Sequence, residues 1–249
     1  MATTTNTVPA DIIMRNEEYQ CASRALLRLQ SWLSPVFPTG AYSYSHSLES
    51  AVEALYIKDR KSLVDWLEAD LCYGSGRNEA IFFSEAWRGA READAARLFE
   101  VAELAAAFRG TSEFALESSQ QASACRTTLQ QVWPDGLLES VSQLLSENHI
   151  PAALAVVLGI RSVREGIPLS FALPAFLQSY VANLVIAGVR LVPLGQTDGQ
   201  LAIAALEEAV LAASDRGRNA TIDDLGSAAF MVDLTSMAHE TQYTRLFRS

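Results

Sequence analysis

The chain has 249 residues, of which 49% are hydrophobic and 19% charged, enough apolar material for one large core and no break in it where a second would begin. Its 19 basic against 29 acidic side chains give a net charge of -10, which opposes binding to a phosphate backbone and argues against nucleic acid as a ligand. Three widely spaced cysteines, Cys21, Cys72 and Cys125, form no CxxC pair, so neither a disulfide framework nor a thiolate zinc site is expected, and a reduced cytoplasm fits.

The polar opening, residues 1–20, has no apolar core of a secretion signal and reads as a flexible tail before a helical domain over 21–236. Tyr19, Ala22, Leu26, Leu29 and Leu33 recur at helical steps until Pro35 and Pro38 stop the pattern. A second helix is expected from Ser43 or Tyr44, with Tyr44, Leu48, Val52 and Leu55 on its apolar side and His46, Glu49 and Glu53 opposite. Asp59 is placed to cap a third helix, which "GSG" at 74–76 would end.

Further helical patterns cover 79–87, 90–108, 112–132 and 137–147, and two apolar stretches, 152–164 and 174–192, read as buried central helices. The second of these carries Pro174, Gln178, Asn183 and Arg190, which favours a core helix over a membrane span. Thr197 with Gln200 matches a capping box before a helix to about Asp215, and Thr221 with Asp224 marks the start of a last helix to about Met237. With no alternating strand pattern and no repeat, the reading is an all-α, single-domain helical bundle.

Nucleotide-binding glycine loops, HExxH and GxSxG are absent, and the histidines number three. His46 and Glu49, three residues apart on an expected helix, are the candidates for a shared metal ion or for the centre of an unfamiliar enzyme pocket. A solvated helix face, or an imidazole bonded near the turn, is the plainer reading of both. Tyr42 and Tyr44 either offer hydroxyls to a partner or bury their rings. The segment 237–249, "MAHETQYTRLFRS", sets Tyr243, Leu246 and Phe247 beside Arg245 and Arg248, so it either packs on its own domain or docks on another chain.

Three stretches, "SPVFPTGAYSYSHSLE", "RLVPLGQTDGQ" and "HETQYTRLF", in this order and spacing, resemble the urease accessory protein UreF family. The resemblance implies a helical homodimer that is not an enzyme and binds no cofactor stably. It would join UreD (also called UreH) and the GTPase UreG on the urease apoprotein, modulating the GTPase while nickel passes through the complex. By the same resemblance Tyr243, Arg245, Leu246, Phe247 and Arg248 become ordered at the UreD-type partner, with His239 and Glu240 where the tail leaves the body. The Gly40–Glu49 elbow, with Tyr42 and Tyr44, and the "PLGQ" segment would shape the dimer and the surface that receives UreG. Ser47 stands where the family usually has glycine, Ala115 and Ala122 where an arginine and a glycine are common, and the family accepts glutamine at the place of His46.

Overall fold

A computed structural model of the chain describes residues 10–249, with side chains from Tyr19 onward. Twelve α-helices and no strand are found among the described residues. The expected tail 1–20 lies outside the described residues over 1–9. From Ala10 the chain is helical, in α1 (Ala10–Trp32).

After the two prolines a short 3-10 turn (Ala41–Ser43) leads to α2 (Leu48–Glu53), so the second helix begins later than its apolar pattern predicts. His46 and Ser47 both adopt left-handed backbone, with φ of 52° and 71°, which a continuous helix from Ser43 cannot contain. Ser47 therefore carries its Cβ in a backbone region that glycine adopts without strain.

Asp59 caps α3 (Arg60–Tyr73) as expected: its carboxylate accepts from the Ser62 amide at 2.8 Å, and the Ser62 hydroxyl accepts from the Asp59 amide at 3.1 Å. After Gly74, α4 (Ser75–Glu92) follows at once. The single helix expected over 90–108 is two elements, because Ala93 turns left-handed at φ 54° and Asp94 caps α5 (Ala95–Ala107) through the Arg97 amide at 3.0 Å. Then come α6 (Ser112–Val132), with the predicted bounds, α7 (Gly136–Glu147), α8 (Leu154–Arg164) and α9 (Leu169–Leu191).

The capping box expected at Thr197 does not form. The next helix, α10 (Gln196–Ala205), starts two residues earlier than that box implies, behind Gly195, so Thr197 is already inside it. It ends at Leu206, a buried residue whose amide is shared between the Ala202 and Ile203 carbonyls, and the chain turns into α11 (Glu207–Asn219). Asp224 does accept from the Thr221 amide at 2.9 Å, but the pair closes a 3-10 turn (Ile222–Asp224), and the last helix, α12 (Phe230–His239), begins six residues further on.

The core is organised around α4, which packs against α3, α5, α8, α9 and α11 and is buried on every side. Close approach depends on small residues. A Cβ on Gly159 of α8 would lie 2.7 Å from the Phe83 carbonyl, and one on Gly217 of α11 would lie 2.7 Å from the Ala80 Cβ, so neither helix could sit where it does with a larger residue. Phe83 and Phe176 stack across α4 and α9 with centroids 5.0 Å apart. Helix α9 is long and apolar enough to cross a membrane by length and composition alone. In this fold it packs against α2, α3, α4, α8, α10 and α11.

Candidate partner-binding site at the elbow and the C-terminal segment

The elbow before α2, helix α6 and the segment after α12 meet at one place. Glu113 and Glu117 stand one turn apart on α6, and each carboxylate holds a histidine: Glu113 Oε2 is 2.7 Å from His239 Nδ1, and Glu117 Oε2 is 3.2 Å from His46 Nδ1. The other nitrogen of His239 lies 3.2 Å from Glu49 Oε2 on α2, so one fully buried ring spans two carboxylates and fixes their separation. Arg245 Nη1 donates to the remaining oxygen of Glu113 at 2.9 Å. Burial makes these contacts depend on their full set of partners, because a carboxylate left unpaired there would be costly.

The C-terminal segment is laid along this cluster. Glu49 accepts from the backbone amides of Leu246, at 2.6 Å on Oε1, and Phe247, at 2.8 Å on Oε2. The Arg248 amide donates to the Ser43 carbonyl at 2.8 Å, the Ser45 amide donates to the Ser249 oxygen at 2.8 Å, and the Ser249 hydroxyl donates to Glu117 at 2.9 Å. Phe247 is buried with the Arg190 guanidinium 4.4 Å from its ring centroid, and Arg190 also donates to the Tyr42 carbonyl.

The segment therefore packs back on its own domain, one of the two arrangements its composition allows. The resemblance led to the expectation that it becomes ordered at a partner. Here four backbone hydrogen bonds and one buried aromatic ring already order it. His239 belongs to α12 and is wholly buried, Tyr44 and Phe247 are buried too, and Glu240 accepts from the Ser112 hydroxyl. What faces outward is Tyr42, 74% exposed, Tyr243, fully exposed, and Leu246, 57% exposed. Phe230, Leu234 and Met237 are exposed along α12.

His46 and Glu49 do not share a helix face, and the structure sends them to different partners. His46 precedes α2, stacks on Phe114 with centroids 4.1 Å apart, and bonds Glu117 near the turn, the second of the plainer readings. Among the described residues no group of three His, Cys, Asp or Glu converges as a metal site. A cavity of about 140 Å³ lies beneath the elbow, walled in part by Tyr44, His46, Glu79, Arg109 and Phe247, with Glu79 and Arg109 paired to each other.

Burial alone would lower the pKa of His46, but the charge and hydrogen bond of Glu117, with Asp70 and Glu79 beyond it, outweigh burial and hold it above the ordinary 6.5. A folded value above the unfolded one means the contribution is complete below about pH 6.5 and is lost as pH rises through the folded value. His46→Gln, which keeps a donor but cannot gain a proton, is expected to flatten that fall, as read by urea midpoints across pH. Burial pushes the Cys125 thiol up to about 12, so it stays protonated at neutral pH.

Glu113 and Glu117 escaped the sequence reading, although their spacing of four on a helix with apolar neighbours was a usable sign that two carboxylates point inward. Ser43, Ser45 and Arg190 carried no sign at all, since they act through backbone carbonyls and amides and through an aromatic ring distant in sequence.

A family model described as UreF matches residues 57–207. The chain is 50% identical to the urease accessory protein UreF of Rhodopseudomonas palustris (strain BisB5), over 91% of this chain and 92% of that protein. It is 47% identical to the protein of the same name in Granulibacter bethesdensis, over 90% and 94%, and 44% identical to that of Bradyrhizobium diazoefficiens, over 90% and 92%.

Proposed function

The chain belongs to the UreF family of urease accessory proteins, and from that premise we propose that it acts as a helical adaptor in nickel-centre assembly. It links a UreD-type (UreH) protein and the GTPase UreG on apo-urease in the cytoplasm, works as a homodimer, and modulates GTP hydrolysis while nickel, the cargo, enters the enzyme. The family is one of accessory proteins, so the alternative of an enzyme built on His46 and Glu49 is set aside.

The observation that carries the adaptor reading is the exposure of Tyr243 and Leu246 on a segment held to the body at Arg245, Phe247 and Ser249. Exposed aromatic and aliphatic anchors on a rigid base suit protein recognition, because little ordering entropy is lost when they are covered. Tyr42, exposed beside the Arg190 contact to its carbonyl, offers a second contact for the UreG-type partner.

The test is direct. The purified chain mixed with UreD-type and UreG-type proteins is expected to elute from gel filtration as one complex that activates apo-urease with nickel and GTP. Separate elution of the three proteins under conditions where urease is otherwise activated removes the reading.

A further inference from the structure

His46 sits between the 3-10 turn (Ala41–Ser43) and α2, 8% exposed, and its Nδ1 contact with Glu117 at 3.2 Å is the ring's one hydrogen bond, since Nε2 has no partner. Glu117 takes its other hydrogen bonds from neutral groups, the Gln121 amide and the Ser249 hydroxyl, so His46 is its one cationic partner among the described residues. We infer that this pair is a pH-sensitive latch on the elbow: the charged imidazole holds the elbow on α6, and loss of its proton as pH rises lets the elbow open. The latch belongs to the isolated chain. Only the identity of what meets the elbow rests on the adaptor reading above.

The elbow is built to move. His46 and Ser47 hold left-handed backbone, which persists in side-chain-bearing residues only while the surroundings enforce it. The ring stacks on Phe114 and walls a cavity of about 140 Å³, room for water to reach Glu117 once the ring leaves. Glu117 on α6, Asp70 on α3 and Glu79 on α4 all favour the charged ring, while Arg109 pairs with Glu79. The Tyr180 ring of α9 makes a T-shaped contact at 5.6 Å, and Asp233 on α12 is within reach of the same charge. A neutral imidazole leaves the buried Glu117 without its cation, so closure is favoured most while the ring is charged.

The closed elbow holds the His46 pKa above 6.5, and an open one returns it to about that value. The open population is therefore lowest below about pH 6.5, rises with pH, and levels off above the closed-state value. Its total rise equals the ratio of the two acid constants, about tenfold for each unit between them.

Hydrogen exchange of the Tyr44 and Leu48 amides, which donate to the Ala41 and Ser45 carbonyls, reads the opening from about pH 6 to about pH 8.5, after correction for the intrinsic rise of exchange with pH. Imidazole NMR on the same chain gives the His46 midpoint and so fixes the size of the expected rise. In His46→Gln the opening is expected to be constant with pH, and in Glu117→Gln the His46 midpoint is expected to drop and the pH response to shrink. A midpoint at or below 6.5, or opening that ignores pH in the unaltered chain, would overturn the inference. So would a pH response that persists in His46→Gln. Bound to a UreG-type protein, the elbow is expected to stay closed across the range. Undiminished opening in that complex would uphold the latch and overturn instead the assignment of Tyr42 to that partner.

Discussion

Tyr243→Ala combined with Leu246→Ala is expected to weaken capture of a UreD-type protein by about 2–4 kcal/mol, which is roughly thirtyfold to a thousandfold in Kd. Both side chains face solvent in the isolated chain, so little folding energy depends on them, and the unfolding midpoint is expected to stay within about 0.5 kcal/mol of the parent. Calorimetric titration and urea denaturation on the same preparations separate the two effects. An unchanged Kd would exclude these side chains as anchors.

The paired substitution is a cleaner experiment than cutting the chain after Ser236. Such a cut removes His239 and Phe247, both buried, and with them the ring that joins Glu49 to Glu113. The loss of activation that followed would mix a damaged body with missing anchors.

The largest effect on stability is expected at Phe83. Its ring is 1% exposed, lies on the helix that α3, α5, α8, α9 and α11 pack against, and stacks on Phe176. Phe83→Ala removes that burial and leaves a hole that α8 cannot close by moving in, because Gly159 already brings its backbone against the Phe83 carbonyl. A loss of about 3–5 kcal/mol is expected, read from the urea midpoint at unchanged slope. A loss below about 1 kcal/mol would mean that the α4 packing relaxes far more freely than these contacts allow.

Local signals were legible where the chain answers only to its neighbours. Asp59 caps because its carboxylate needs nothing more distant than Ser62, and the 112–132 helix has its predicted bounds because Thr111 at its start accepts from the Phe114 amide at 3.2 Å. Thr197 failed the same test. Its pattern was correct, but the backbone had already become helical at Gln196, and a capping side chain inside a helix has no free amide to satisfy. The break at Ala93 and Asp94 was missed although Asp94 offers a cap, because an unbroken apolar pattern reads as one helix until a left-handed residue interrupts it.

Sequence by itself determined the helical class, most of the elements, and the family through motifs at Ser34–Glu49 and His239–Phe247. Those properties are set by hydrophobic period, proline and caps acting over a few residues. Only the tertiary structure decided what Glu49 does, because its partners His239 and Phe247 lie 190 and 198 residues away along the chain. It also decided that a segment rich in exposed-looking anchors divides them, with Phe247 inside and Tyr243 outside. Which carboxylate faces which amide depends on how helices cross, and the helices cross where small residues such as Gly159 and Gly217 let backbones meet.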